Sequence, residues 1–320
     1  MVSLYRLKKP LPALLTLLLL TSMIGSVLAE EKPVVVATTS VIGSVVKDLA
    51  GDRVELYVIA SPAICPAHHD IKPSDVYTFS KASLILYHGF EPWVKDLYEA
   101  SGSKAKLFRV SGPWNTPDGI KSYYKRVASV LRDELGIDVS DELKEVLPKI
   151  DSLAEKLKSE AGRTEVSKVK VIAMKWVEGF VKWLGFDVVA DFGPPEKLSS
   201  ADVEKLVETG KREKVILVIS NLQSGIKFGE SLASEIGANH IILTNFPWTD
   251  PDLKTLMDVL ERNAERLMIG VELYRVRSVT SKLESELNLY KVLGYCLIAV
   301  AVVEAIFLAY LLRRRVKHGP

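Results

Sequence analysis

Apolar and polar positions along the first third of the chain follow two alternating periods. Short runs that are wholly apolar, such as Val34–Ala37 and Leu84–Tyr87, are typical of buried parallel strands. Between such runs, apolar residues recur at three- and four-residue spacing, as in 41–49, which predicts a helix with one face on the strands. Two more strands are predicted at 54–59 and 106–110. Four strands that alternate with helices predict one α/β lobe.

The same alternation restarts after a long charged helix predicted at 141–161. Four strands are predicted beyond it, at 169–173, 187–190, 215–219 and 240–243, followed by a last helix at 251–267. The predicted fold class is therefore α/β, with two lobes that each hold a four-stranded parallel sheet flanked by helices. The long helix would link the lobes and limit their hinge motion.

The two ends of the chain carry apolar segments of different kinds. Basic residues precede the apolar run 11–28, and small residues lead to Ala29, which is typical of a secretory signal peptide cut after Ala29. An uncleaved anchor helix is the alternative. The run 292–312 is long enough to cross a bilayer and is followed by the basic tail. By the positive-inside rule, residues from about 30 to 290 face outward.

These limits divide the chain into seven predicted segments. They are a signal peptide (1–29), an N-terminal lobe (30–138), the linking helix (139–165), a C-terminal lobe (166–270), a juxtamembrane stalk (271–290), a transmembrane helix (291–312) and a cytoplasmic basic tail (313–320). The predicted location is the cell membrane, with a single C-terminal span and the lobes outside. Glu304 lies inside the span, where it either pairs with a partner helix or is a protonated carboxyl in lipid.

Charge and cysteine content exclude some classes of protein. The 42 basic and 40 acidic residues give a formal net charge of +2, which lacks the excess of basic residues that is typical of nucleic-acid-binding proteins. Cys65 is the only cysteine between the two apolar ends, because Cys296 lies inside the predicted span, so the folded part has no disulfide. A zinc-dependent surface hydrolase is disfavoured, because the sequence has no HExxH or comparable motif, and we do not expect an enzyme.

Side chains of the kinds that can bind a ligand cluster in the loops after the predicted strands. In open parallel sheets, ligands bind at this end of the strands. The loop 65–70 carries a thiol, two imidazoles and a carboxylate on Cys65, His68, His69 and Asp70. The other strand ends add Thr39, His88 and Trp114 in the first lobe and Met174, Glu178, Asn221 and Asn245 in the second. If the lobes face each other, these residues line one cleft. Trp114, Trp176 and Trp248 either wall that cleft or pack the lobe interface.

Three stretches resemble the metal-binding solute-binding proteins of ABC importers, the zinc and manganese (TroA/ZnuA-like) family. They are Gly51-Asp52-Arg53-Val54 before a strand, the histidine loop that ends in Pro73-Ser74-Asp75, and Gly89-Phe90-Glu91-Pro92-Trp93. The order of lobe, linking helix and lobe is also similar, so the resemblance covers roughly 33–268. It implies a membrane-anchored receptor that captures a transition-metal ion, zinc or manganese and possibly copper, between its lobes. The implied partners are the permease and ATPase subunits of the importer.

The resemblance implies four metal ligands, one from each of four strand-end loops. They fall on His68, or His69 if the loop is slipped by one residue, and on Gly112, Met174 and Asn245. Of the four, only the first keeps the kind of side chain that the family uses. The metal is therefore open to three interpretations.

In the first interpretation, Cys65, one of the two adjacent histidines and Met174 form a soft site that suits copper(I), or zinc with cysteine and histidine alone. In the second, zinc or manganese is kept by recruiting Asp70, His88 or Glu178. In the third, no metal binds, and the fold serves as a surface receptor or adhesin for another ligand. Cys65 and Met174 are equally compatible with ordinary packing.

Overall fold

The computed structural model describes residues 31–317, and side chains over 31–313. The predicted signal peptide and the last three residues of the basic tail lie outside this range. The described residues form two parallel sheets of four strands each, together with nine α-helices. The predicted fold class is confirmed.

The first sheet is built from the short apolar runs of the first lobe. Its strands are β1 (Val34–Ala37), β2 (Glu55–Val58), β3 (Leu84–Tyr87) and β4 (Lys106–Arg109), in the order β2-β1-β3-β4. The helices around it are α1 (Ser40–Ala50), α2 (Pro73–Lys81), α3 (Trp93–Ser101) and α4 (Pro117–Leu135). In the central register Val36 pairs with both Tyr57 and Ile85. The central strands are wholly apolar because helices cover both faces of the sheet.

The linking helix α5 (Ser140–Arg163) leads into a second sheet of the same kind. Its strands are β5 (Lys170–Met174), β6 (Asp187–Phe192), β7 (Leu217–Asn221) and β8 (Asn239–Leu243), in the order β6-β5-β7-β8. The remaining helices are α6 (Lys175–Leu184), α7 (Ser200–Glu213), α8 (Lys227–Ile236) and α9 (Leu256–Lys317). The two sheets therefore have the same topology, with the first strand of each lobe paired on both sides.

One buried apolar cluster runs through both lobes. It includes Leu131 of α4, Ile150 of α5 and Leu260 of α9, all at 0–1% exposure. A smaller cluster, which contains Phe79 and Trp93, fills the other face of the first sheet. Because the larger cluster is shared, separating the lobes would expose apolar surface to water. This shared core is consistent with the limited hinge motion predicted from the linking helix.

The last helix starts later than predicted. The sequence pattern predicts a start at Pro251, but α9 begins at Leu256. Thr255 and Asp258 form a reciprocal cap, in which Thr255 N donates to Asp258 Oδ2 (2.8 Å) and Asp258 N donates to Thr255 Oγ1 (3.2 Å). Such a box fixes the first helical turn. The preceding residues form a turn instead, with Leu253 N bonded to Asp250 O at 3.0 Å.

The same helix also continues further than predicted. The last helix, the stalk and the span are one helix of 62 residues, about 93 Å long at 1.5 Å per residue. Gly270 lies inside this helix at a point where α9 packs closely on β8, and a Cβ there would collide with Ile241. Within the part of the chain that the structure describes, α9 is the helix that is long and apolar enough to cross a membrane. The limits of the seven predicted segments remain predictions.

Candidate functional site

The strand-end loops of the two lobes meet, and three side-chain hydrogen bonds cross between them. Trp114 Nε1 donates to Asn245 O (3.1 Å), Asn115 Nδ2 donates to Trp176 O (3.0 Å), and Gln223 Nε2 donates to Pro62 O (2.9 Å). Trp114 also packs edge-on against Phe246 of the second lobe, with ring centroids 6.2 Å apart. The residues predicted to line one cleft therefore belong to loops that lie against each other.

The indole rings divide between the two predicted roles. Trp248 packs on α1 from the second lobe, since a Cβ at Gly43 would lie 3.0 Å from its ring. Trp114 likewise packs at the lobe interface. Trp176 is 52% exposed, although its backbone carbonyl accepts hydrogen bonds from both lobes. Of these three residues, Trp176 is exposed, whereas Trp114 and Trp248 are half-buried.

The loop 65–70 forms a 3₁₀ turn over Pro66–His68 that is tied to α2 and α3. His69 is buried, with Nε2 at 2.9 Å from Asp75 Oδ2 and its ring 4.8 Å from that of Trp93. Trp93 Nε1 donates to Pro66 O at 2.7 Å. His69 therefore faces into its own lobe. His68 and Asp70 are exposed on the same loop, and Cys65 is half-buried.

His88 is fully packed at the end of β3. Its ring packs against those of Phe90 and Trp114, at centroid distances of 5.1 and 4.5 Å. Nε2 is 2.8 Å from Thr39 Oγ1, and Nδ1 is 3.1 Å from the Tyr123 hydroxyl. Burial lowers the pKa of His88 from 6.5 to about 4, so the ring is neutral at physiological pH. Since both nitrogens have hydroxyl partners, neither is free for a metal ion in this arrangement.

Glu91 organises the turn next to His88. Its buried carboxylate accepts hydrogen bonds from Thr38 Oγ1 (2.7 Å) and from the backbone N–H groups of His88 (3.0 Å), Gly89 (2.8 Å) and Phe90 (3.1 Å). Gly89 has φ +100°, and a Cβ there would collide with Arg109. The helix α3 begins only at Trp93, because the Glu91 carboxylate bonds back to the turn that precedes it.

Neutral groups form the second lobe's side of the cleft. Met174 is 1% exposed, and its Sδ accepts from Trp176 N at 3.4 Å. Asn245 Nδ2 donates to Trp176 O at 2.6 Å, and Asn221 Nδ2 donates to Gln223 Oε1 at 3.1 Å. These amides satisfy one another and the backbone around them, so this wall carries hydrogen-bonding groups without net charge.

The metal-ligating side chains are not gathered into one group. Glu178 forms an i,i+4 ion pair with Lys182 on α6, at 2.5 Å. Across residues 31–313, no three His, Cys, Asp or Glu side chains come together in a way that could hold a metal ion. A structural zinc site needs four ligands and a catalytic one about three. The described arrangement therefore does not itself form a metal site from the predicted residues.

Sequence reasoning did not select three residues that organise the site. Glu91, Asn115 and Gln223 make the hydrogen bonds that shape the turn after β3 and join the two lobes. Gln223 is the only glutamine in the chain and follows a strand end, and Glu91 lies between a strand end and a helix start. Their positions were available from the sequence. Their partners were not, because those lie elsewhere in the chain.

Comparison with known proteins places most of the chain in one family. Residues 35–269 match the model of the family described as zinc-uptake complex component A, periplasmic (ZnuA). This range nearly coincides with the part in which the sequence motifs resemble that family, and the resemblance is confirmed.

Curated relatives match over a shorter stretch. A manganese ABC transporter substrate-binding lipoprotein of Streptococcus gordonii is 42% identical over 61 residues, which are 19% of this chain and 20% of that protein. A protein of the same description from Streptococcus anginosus is 39% identical over 59 residues, or 18% and 19% of the two chains. The chain thus aligns with only about a fifth of the length of these relatives.

Solved structures match over a larger part of the chain. The periplasmic zinc binding protein TroA from Treponema pallidum has a TM-score of 0.66 at 17% identity, covering 75% of this chain and 99% of that one. A Mn-bound periplasmic metal binding protein from Candidatus Liberibacter asiaticus has a TM-score of 0.63 at 16% identity, covering 75% and 100%. At these identities the likeness is one of fold.

Proposed function

Because the chain belongs to the family of zinc-uptake complex component A, we propose that it is the substrate-binding component of an ABC importer for a transition-metal ion. The observation that carries the proposal is the meeting of the strand-end loops of two like lobes across one cleft. The chain is a binding protein and not an enzyme. It would release its substrate to the permease, whose ATPase subunits supply the energy.

The exposed part of the loop 65–70 is the proposed metal-contacting segment. His69 is held by Asp75 and His88 by two hydroxyls, which leaves His68 as the accessible imidazole of the three. Cys65 directly precedes the 3₁₀ turn and lies three residues before His68, so both side chains belong to the same short loop segment. Thiolate and imidazole suit zinc or copper(I), whereas the nearby carboxylate of Asp70 suits manganese.

The second lobe would complete this site with softer donors. The Met174 thioether and the Asn245 amide lie at the ends of β5 and β8, where the family resemblance places two of its ligands. Since no three strong ligands converge in the described arrangement, metal binding would require the loop 65–70 to move toward them. The remaining cleft residues, Thr39, Trp114, Glu178 and Asn221, would shape the walls and make no metal bond.

The proposed location is the outer face of the cell membrane. The curated relatives are named lipoproteins, and in this chain the apolar part of α9 would serve as the anchor. The basic residues that follow it would remain in the cytoplasm. The two lobes would then stand outside the membrane on the stalk 271–290.

A second candidate is a surface receptor of the same fold for a ligand that is not a metal. The specific observation that favours it is the neutral chemistry of the cleft, where amides and indoles replace a converging set of metal ligands. Such groups suit a polar organic ligand, because amides can both donate hydrogen bonds to a ligand and accept hydrogen bonds from it.

Metal analysis of the full-length protein would distinguish the two candidates. The protein would be purified anaerobically in detergent and titrated with zinc, manganese or copper(I), alongside Cys65→Ala, His68→Ala and Met174→Leu. The last variant removes the sulfur but preserves the volume. Stoichiometric metal that is lost in His68→Ala would support the importer proposal.

A matched control is His240→Gln, which removes an imidazole bonded to Ser220 in the second lobe. Metal binding should survive this change. Retention of metal by Met174→Leu would assign Met174 to packing. Protein that binds none of the three ions at any concentration tested would contradict the metal proposal and favour the second candidate.

A further inference from the structure

The stalk part of α9 exposes a regular row of apolar side chains. Leu273, Val276, Leu283, Leu287 and Tyr290 are each more than half exposed. With Thr280 in the gap, their positions alternate by three and four residues. A seven-residue repeat of this kind provides the a and d positions of a coiled coil. A helix surrounded by water does not gain stability from an apolar row unless another element covers the row.

The same repeat continues without interruption into the predicted span. Taking Leu273 as an a position, the a positions are 273, 280, 287, 294, 301 and 308, and the d positions are 276, 283, 290, 297, 304 and 311. We call these residues the heptad stripe. Inside the span the stripe presents Gly294 and Ala301, and there is open space around Gly294. Small residues allow close approach of two helices in lipid.

We propose that the heptad stripe binds the same stripe of a second copy of this chain, as a parallel two-stranded coiled coil. The charges beside the stripe favour this partner. In a parallel pair, each g residue faces the e residue five positions later in the other chain. Glu272 would face Arg277, and Glu286 would face Lys291, so both pairs are of opposite sign. The third such pair, Val279 with Glu284, has no like charges.

The parallel arrangement rests on the proposed membrane anchor. Two copies that insert with the same orientation can only bring their spans together side by side in the same direction. In one chain Glu272 already lies 2.7 Å from Arg275, so the Glu286 and Lys291 pair is the cleaner reporter of the contact between copies.

The body of the chain leaves the start of the stripe uncovered, since Leu273 and Val276 are both about 60% exposed. Arg275, two positions after Leu273, donates from Nη2 to Thr164 O at 2.9 Å and so fixes that side of the helix to the end of α5. Leu273 and Val276 instead line a groove of about 490 Å³ beside β8, the edge strand of the second sheet. The groove provides room for the first turn of the partner helix, and covering an edge strand protects its unpaired backbone groups.

The pairing also provides a partner for Glu304. This residue occupies a d position, so the carboxyl groups of two copies would face each other inside the membrane. An ionisable side chain in a span is costly unless it is paired. A hydrogen bond between two protonated carboxyls would satisfy both of them. Of the two sequence-based interpretations of Glu304, the proposal selects the partner helix.

Disulfide crosslinking in membranes tests the contact directly. In a full chain with Cys65→Ala and Cys296→Ala, Leu287→Cys places a thiol at an a position, and Ser285→Cys places one at the outward f position. A disulfide needs Cβ atoms about 4 Å apart, which a and d positions of a parallel pair approach and f positions do not. Mild oxidation should give a dimer with Leu287→Cys, and at least several-fold less with Ser285→Cys.

A charge exchange then tests the register. Added to Leu287→Cys, Glu286→Lys would oppose two lysines across the interface and should lower the dimer yield several-fold. Adding Lys291→Glu should restore it. Equal crosslinking at 285 and 287, no dimer at 287, failure of the restoration, or a crosslink to a chain of different mass would each overturn the proposal.

The proposed function can fail separately from this inference. A chain that leaves the membrane fraction on carbonate extraction would contradict the anchor, on which the parallel arrangement depends. A chain that stays in the membrane and binds metal but gives no dimer would contradict only the pairing. A dimer that binds no metal would leave the pairing intact and contradict the metal proposal.

Discussion

The two lobes share one topology but differ in the chemistry at their strand ends. In the first lobe the loops bury groups that can carry charge, in the pairs His69 with Asp75 and His88 with Glu91. In the second lobe the buried side chains after the strands include the amides of Gln223 and Asn245. The same scaffold therefore supports two kinds of wall, as is general for folds whose function resides in loops.

This difference predicts which lobe loses more stability when the pH changes or when a single side chain is removed. A buried carboxylate needs several donors to offset its desolvation, so removing it leaves many groups unsatisfied. The hydrogen bonds of a buried amide join neutral groups and are individually weaker than those of a carboxylate. We therefore expect the first lobe to lose more stability than the second when a strand-end residue is changed.

The largest effect is expected for Glu91→Ala. The change leaves the Thr38 hydroxyl and three backbone N–H groups without their acceptor, and we expect a loss of about 3–5 kcal/mol in the free energy of unfolding. Urea unfolding of the full chain in detergent measures it. The matched change in the second lobe is Gln223→Ala, which removes hydrogen bonds with Pro62 O, Thr244 Oγ1, Asn221 Nδ2 and Asn245 N. Because all of these groups are neutral, the change should cost about 1–2 kcal/mol. Equal losses of stability in Glu91→Ala and Gln223→Ala would contradict the expectation that the first lobe is the more sensitive one.

Lowering the pH should destabilise the first lobe through His88. Its pKa is about 4 in the folded chain and 6.5 as an ordinary value, so the unfolded chain binds the proton first. Stability should fall as the pH drops from about 6.5 to about 4, by roughly 3 kcal/mol in total, and be unaffected by His88 above that window. Urea unfolding at several pH values, compared between the parent and His88→Gln, measures the difference.

The histidine of the second lobe is the control for this pH dependence. Burial also lowers the pKa of His240, with the same sign, but the residue is only partly buried. The pH dependence should therefore shrink more in His88→Gln than in His240→Gln. A larger reduction in His240→Gln would show that the packing around His88 is not the source of the pH dependence.

Asp75→Asn should have an intermediate effect. The carboxylate accepts from Lys72 N at 2.9 Å, which caps α2, and also contacts the buried His69. We expect a loss of about 2 kcal/mol, because the amide can replace only part of this. Asp202→Asn in the second lobe changes the same capping position, but Asp202 makes no contact with a buried histidine. This substitution should therefore cost about 0.5–1 kcal/mol. Equal costs in thermal or urea unfolding would mean that the His69 contact adds nothing.

The smallest effect is expected for Asn115→Ala at the contact between lobes. Trp176 O loses one donor but keeps Asn245 Nδ2 at 2.6 Å, so the cost should be about 0.5–1 kcal/mol. The double variant with Asn245→Ala should cost more than the sum of the single changes, because the carbonyl then has neither donor. Strict additivity in urea unfolding would contradict a shared acceptor.

Much of the fold was predictable because its signals are local. The limits of β3 match those predicted from sequence, since its apolar run has a clear start and stop. The start of α9 was missed because Pro251 is a good first helical residue, whereas the cap that fixes the start is at Thr255 and Asp258. Both signals were in the sequence, and the structure shows which one the chain uses.

The candidate site was predictable only to the level of its loops. The sequence placed His68 and His69 on a strand-end loop, but two adjacent histidines look alike in a pattern. The structure separates them through Asp75, which holds His69 inside the lobe and leaves His68 exposed. Similarly, His88 was a candidate ligand until the two hydroxyls around it were known.

The sequence by itself determined the alternation of strands and helices, the two like lobes, the apolar segment of α9 and the loops that form the site. Each of these follows from the period of apolar residues or from turn chemistry, which act over a few residues. Only the tertiary structure decided which side chains meet. His88 and Thr39 are 49 residues apart, and Trp114 and Asn245 are 131 apart, so packing of the whole chain selects these partners.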